Sequence, residues 1–291
     1  MKKVVVIVGP TGSGKTQLSI EIAKRISGEI INGDSVQIYR RLNIGSAKIK
    51  SEEKQDIPHH LFDVVDPEMP YSVFDFQREV RRLLKNIETP IICGGTGLYI
   101  KAALYDYQFV AEERKTAFEV AHEHFTIEAL YEMLLKKDPN TKVDPKNKRR
   151  ILRALEQAQS GVIPSSLNKK NKPLYDTLIL YLDIDRKALE TRLVERLEQM
   201  IKEGFIEEVE ALKAEGLKIN AIGYRDLYRY LDHEMTLDEA KKDIITATKR
   251  FAKRQKTWFK NQESPIFLNA LSPTLIKDAM VYVDAFIKKD N

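Results

Sequence analysis

The chain has a single cysteine, Cys93, in 291 residues, which excludes a disulfide framework and a thiolate-rich zinc site and fits a reducing compartment. Long apolar runs are also missing, and none approaches the ~20 residues needed to span a bilayer. The apolar stretch at 4–8, behind Met1, Lys2 and Lys3, is too short for a signal peptide and ends in a glycine-rich loop. It reads as a buried first strand. There are no internal repeats. The excess of positive charge is small, 48 basic against 43 acidic residues, so net charge alone does not select a partner. These absences predict a soluble, cytoplasmic protein with no membrane partner. The remainder, 43% hydrophobic and 31% charged, suits a globular chain of roughly two domains at ~150 residues each.

The first hundred residues repeat one pattern: a short β-branched run, a glycine turn, a helical periodicity. Runs at 4–8, 29–31 and 90–93 read as strands, and apolar spacing at 16–26 and 74–87 reads as helices. Such alternation predicts an α/β fold, a parallel sheet flanked by crossover helices. From 107 to 175 the strand signature disappears and helical stretches, Asp-Pro turns and a polar segment take over. The run at 177–182 (TLILYL) restores it as the expected last strand, with helices over 186–213 and 236–260. The organisation is therefore read as a core of 1–106 plus 176–291, interrupted by a mostly helical insertion at 107–175.

Residues 9–16, GPTGSGKT, satisfy G-x-x-x-x-G-K-[ST] between a buried strand and an amphipathic helix, the setting of a P-loop. Gly9, Pro10, Thr11, Gly12, Ser13 and Gly14 let the chain turn so that backbone N–H groups converge on one anion at a helix start. Lys15 supplies a mobile charge, and the Thr16 hydroxyl is the expected Mg²⁺ ligand. Such a loop recognises two linked phosphates, whether of a nucleoside triphosphate or of a prenyl diphosphate. The second strand ends at Asp34, where a carboxylate beside a polyphosphate could hold Mg²⁺ through water, take a proton from an acceptor, or simply cap a following helix. The third strand ends in Gly94-Gly95-Thr96 with no acidic residue, which argues against a motor or switch ATPase. Arg225 could meet leaving-group charge or lie in a surface salt bridge. Two basic stretches, 146–153 with Arg149, Arg150 and Arg153, and 249–260 with Lys253 and Arg254, are either solvated helix faces or phosphate-backbone contacts.

Together with GDSVQIYRRLNIGSAK (33–48), PHHLFDVVDP (58–67), YSVFDFQ (71–77), GGTGLYIKAAL (94–104), KRRILRALE (148–156), GYRDLYRYL (223–231) and ATKRFAKRQKTWF (247–259), these residues resemble the tRNA dimethylallyltransferase family, bacterial type, over almost the whole chain. The resemblance implies a P-loop NTPase-like core, Mg²⁺ as cofactor, and transfer of a dimethylallyl group from dimethylallyl diphosphate. The acceptor would be the exocyclic N6 amine of the adenosine just 3′ of the anticodon, in tRNAs reading codons that begin with U. It implies Asp34 as general base, Thr96 as a substrate contact and Arg225 on the diphosphate. It further implies tRNA contacts from Ser35, Val36 and Gln37 beside Asp34, from Arg114, and from Arg149, Arg150 and Arg153, with the anticodon stem-loop as partner of a monomer. A free-nucleotide adenylate isopentenyltransferase and a small-molecule P-loop kinase are the alternatives, and turnover of AMP or γ-phosphate transfer would distinguish them.

Overall fold

The structure, a computed structural model, describes residues 1–107, 116–166 and 172–288. Six strands form one parallel sheet: β1 (Lys3–Val8), β2 (Glu29–Gly33), β3 (His59–His60), β4 (Pro90–Gly94), β5 (Asp176–Asp183) and β6 (Ile266–Asn269). Their order is β3-β2-β4-β1-β5-β6. β1 is central, with Val8 beside Gly94 of β4 on one side and Tyr181 of β5 on the other. Its near-continuous burial follows from cover on both faces, as in all-parallel sheets.

Alternate β1 side chains serve separate cores. Val4, Val6 and Val8 pack with α2 (Val73–Asn86), α3 (Gly97–Leu104) and Phe259 of α10 (Leu237–Gln262). Val5 and Ile7 pack with α1 (Lys15–Ile26) and α11 (Leu275–Lys288). A third apolar cluster joins Leu42 to α7 (Arg186–Lys202), α8 (Phe205–Ala214), α9 (Tyr224–Leu231) and the first half of α10. The sheet does not end at β5 as the sequence suggests. β6 is four residues long on the sheet edge with only Leu268 buried, so it carries too little apolar signal to stand out.

By contact density the chain divides into Met1–Tyr105 with Pro173–Asn291, and Asp106–Lys172. The second unit holds α4 (Thr116–Ala121), α5 (Ile127–Lys137) and α6 (Lys148–Gln159), with no strand among its described residues. Leu130, Leu134, Ile151, Leu152 and Leu155 form its core. Its buried Asp138 accepts from the Ser165 backbone N–H and hydroxyl, so this carboxylate is paired.

Close approach, not turn conformation, fixes the glycine at the end of β4. A Cβ on Gly94 would overlap the Gly33 backbone of β2. Gly94→Ala is expected to lose roughly 3 kcal/mol of unfolding free energy, the upper end of overpacking costs, in urea titration. An unchanged midpoint would mean that β2 can retreat.

Candidate active site

The carboxyl ends of β2, β4, β1 and β5 bring four segments to one edge. From β1 the chain turns through Gly9, Gly12 and Gly14, all at positive φ, into α1. Gly9 has no room for a side chain, since a Cβ would lie 2.8 Å from the Leu182 carbonyl oxygen. The Pro10 carbonyl gathers three donors: the Ser13 backbone N–H at 3.2 Å, the Ser13 hydroxyl at 2.8 Å and the Lys15 ammonium at 2.7 Å. α1 starts at Gly14 without a side-chain cap and with no acidic residue in its first turn. Its leading N–H groups are therefore left to a ligand, with the helix dipole favouring an anion.

Burial lowers the pKa of Lys15 below its ordinary 10.5; the charges of Cys93 and Asp34 oppose that shift and Arg196 adds to it. An ammonium with no carboxylate in contact among the described residues, beside a further cation, leaves positive charge that a bound anion can meet. Among the described residues no cluster of three or more His, Cys, Asp or Glu could hold a metal. The donors present, an exposed Thr16 hydroxyl in the first turn of α1 and the nearby Asp34, are hard oxygens. They suit Mg²⁺, which keeps most of its waters and takes its remaining ligands largely from phosphate.

Asp34 opens a turn and caps no helix. Its Oδ1 accepts from the Val36 N–H at 2.8 Å, while its own N–H donates to Asn32 Oδ1 at 2.9 Å. Buried Asn32 also donates to the Asp34 and Leu61 carbonyls, which fixes the backbone that carries the carboxylate. Thr96 stands opposite, its hydroxyl accepting from the Ser35 N–H at 3.2 Å and donating to the Ser35 hydroxyl at 3.3 Å. Gln37 turns its amide nitrogen to the Ser46 and Ala47 carbonyls at 3.0 and 3.2 Å. Asp34, Ser35 and Thr96 thus share one edge with the phosphate loop.

Arg225 is exposed on the first turn of α9 and pairs with Asp226 at 3.4 Å, in the cluster of helices α7–α10 against which Val36 and Tyr39 also pack. Two further cations adjoin the loop from α7, where the sequence offered only a charged helix. Arg192 donates to the Gly12 carbonyl at 3.1 Å. Arg196 is partly buried, which lowers its pKa, and has no hydrogen bond or ion pair among the described residues. Gln255 of α10 was also unforeseen: it is buried and donates to the Gly95 carbonyl at 2.9 Å, where a Cβ on Gly95 would overlap it. Arg149, Arg150 and Arg153 form an exposed stripe on α6, opposite buried Ile151, Leu152 and Leu155. Lys253 and Arg254 are exposed on α10. Arg114 lies outside the described residues.

This glycine-rich loop between β1 and α1, with an adjoining carboxylate and no acidic residue on β4, defines a P-loop α/β protein. The comparisons agree. A family model described as "IPP transferase" matches residues 37–262. A curated relative from Acholeplasma laidlawii, named tRNA dimethylallyltransferase, is 50% identical over 287 residues, covering 99% of each chain. The crystal structure of the full-length tRNA isopentenylpyrophosphate transferase of Bacillus halodurans matches with a TM-score of 0.77 at 34% identity, over 99% of this chain and 98% of that one. A eukaryotic dimethylallyltransferase, captured acting on tRNA, matches with a TM-score of 0.89 at 29% identity, over 100% of this chain and 81% of that one. The chain belongs to the IPP transferase family.

The lowered pKa of Lys15 makes a stability prediction. From its folded pKa up to 10.5 the unfolded chain binds the proton that the folded chain has released, so stability rises with pH through that window. At neutral pH the charge therefore opposes folding. Lys15→Met is expected to raise the thermal midpoint of the ligand-free protein and to abolish the stabilisation that pyrophosphate gives the wild type, about 2.7 kcal/mol of unfolding free energy at a hundredfold excess over Kd. A lower ligand-free midpoint in the variant would show that the ammonium is structural.

Proposed function

We propose that the chain transfers a dimethylallyl group from dimethylallyl diphosphate to the N6 amine of the adenosine 3′ of the anticodon, in tRNAs reading U-starting codons. The observation that carries this reading is Asp34, held by Asn32 and the Val36 N–H at the sheet edge where its charge reaches Lys15. A proton acceptor thus stands next to a diphosphate site. Membership of the IPP transferase family and the names of the relatives support the same reading.

An adenine amine is a weak nucleophile because its lone pair is delocalised into the ring. The reaction must gain from a leaving group that departs easily and from a fixed approach. The loop amides, Lys15 and Arg196 take the charge that builds on the departing diphosphate, and Arg192 keeps the loop in shape through Gly12. Mg²⁺, held by the Thr16 hydroxyl and the diphosphate oxygens, would supply further charge neutralisation when bound. Asp34 accepts the amine proton as the new bond forms, and Thr96 and Ser35 line its approach. The adenosine must leave its stack in the loop, at a cost of a few kcal/mol. Backbone contacts by Arg149, Arg150 and Arg153 on α6, and by Lys253 and Arg254 on α10, offset that cost.

Mass analysis of tRNA after incubation with the enzyme, Mg²⁺ and dimethylallyl diphosphate tests the proposal. A mass gain of one dimethylallyl group on the anticodon-loop adenosine supports it, whereas turnover of AMP with unmodified tRNA overturns it. Asp34→Asn should lower kcat by about 10²–10⁴-fold, with stem-loop affinity within a few-fold. A wild-type rate would remove Asp34 from the chemistry. Reversing Arg150 and Arg153 to Glu should flatten the salt dependence of stem-loop binding by ~0.7–0.9 per lost phosphate contact while pyrophosphate binding is kept. An unchanged slope would return that stripe to solvent.

A further inference from the structure

The segment after Asp34 leaves the sheet and folds on itself between Gln37 and Lys48. Gln37 ties its two arms together by donating to the Ser46 and Ala47 carbonyls. The Lys48 ammonium closes the same loop on the Tyr39 carbonyl at 2.7 Å and the Asn43 side chain at 2.9 Å. At its far side three successive backbone N–H groups converge on one carboxylate. Glu208 of α8 accepts from Asn43 at 2.9 Å, Ile44 at 2.8 Å and Gly45 at 3.0 Å, and from the Tyr224 hydroxyl at 2.6 Å. Gly45 is pressed against Phe205 and Tyr224, where a Cβ would not fit. Arg41 adds a second tie to α8's end, a two-pronged pair with Glu215 at 2.6 and 2.7 Å.

Consecutive N–H groups in such a turn make an anion-binding concavity. Here the partner is a charged side chain, and four donors exceed what a neutral amide could satisfy. Both Gln37 donor contacts go to carbonyls of the segment that directly follows this clamp, which commits the amide nitrogen. Its Oε1, with no hydrogen bond among the described residues, is left as an acceptor three residues after Asp34.

We propose that Glu208 is a positioning residue for RNA recognition: through the 43–47 turn it sets the orientation in which Gln37, beside Asp34, meets a hydrogen-bond donor on the anticodon loop. This rests on the tRNA reading above. Glu208→Gln keeps the shape but turns an NH₂ toward N–H donors. It is expected to raise KM for an anticodon stem-loop by about tenfold to a hundredfold, the range for hydrogen bonds to a charged group. The kcat should stay within about threefold, and stabilisation by pyrophosphate should match the wild type. Glu208→Asp, which keeps the charge, should recover part of the loss.

An unchanged KM, or a parallel fall in kcat and pyrophosphate binding, would overturn the proposal, the second by making Glu208 a general stability residue. Should Glu208→Gln fail to fold, Tyr224→Phe removes one donor and leaves the carboxylate. A few-fold rise in KM at constant kcat supports the proposal, and a wild-type KM overturns it. The wild type assayed in parallel separates the two readings. Absence of prenyl transfer by the wild type defeats the proposed function, whereas normal transfer by both wild type and Glu208→Gln defeats only the role given to Glu208.

Discussion

An ammonium held inside a glycine-rich turn, resting on a carbonyl and touching no carboxylate among the described residues, is the constraint from which the rest of this molecule follows. Lys15 is kept from neutralising its charge by the same architecture that makes the turn possible. β1 must be central and buried so that the loop leaves the sheet between β4 and β5, and Gly9 must accept the Leu182 carbonyl at close range. Such a site is destabilising while empty. Charge in a partly desolvated place costs free energy that an incoming anion returns as affinity. Arg196, a second partly buried cation, adds to the same positive field, while Glu53 and Glu203 oppose the effect of its burial.

The other half of the site is built by opposite means. Asp34 accepts from the Val36 N–H, its backbone is held by Asn32, and the hydrogen-bonded Ser35–Thr96 pair follows it, with no salt bridge to Asp34 among the described residues. Glu208 and Asp138 differ in degree: Glu208 accepts from four donors and Asp138 from two, which leaves them less able to meet a ligand than Asp34.

Features with local signatures were legible from residues alone. The phosphate loop, the first strand and the second strand ending in Asp34 each announce themselves through an apolar run cut by glycine, and the sheet is α/β as that alternation implies. β3 and β6 were not legible, because two and four residues at sheet edges carry almost no periodicity. Arg192, Arg196 and Glu208 were missed for a different reason. Within ETRLVERLEQM and FIEEVEAL they are charges on amphipathic helices, identical in pattern to charges that face water. Only the tertiary approach of α7 to Gly12, and of α8 to residues 43–45, gives them partners. Arg225, singled out by the motif GYRD, is exposed on α9 beside Asp226.

The glycine pair at the end of β4 carries the last step. P-loop hydrolases keep an acidic residue on the strand beside the loop to organise metal and water. Here that edge has no space for one: a side chain at Gly94 would enter the Gly33 backbone, and one at Gly95 would displace the Gln255 amide. The exclusion of a water-orienting carboxylate is thus enforced by packing, with β2 and α10 as its two walls. For a donor whose allylic carbon ionises readily, the competing reaction is capture by water. Under the proposed transfer, a β4 end with no room for a water-activating carboxylate, one strand from Asp34, favours the amine over water as acceptor. The packing that requires glycine at 94 would then serve the chemistry as well as the sheet.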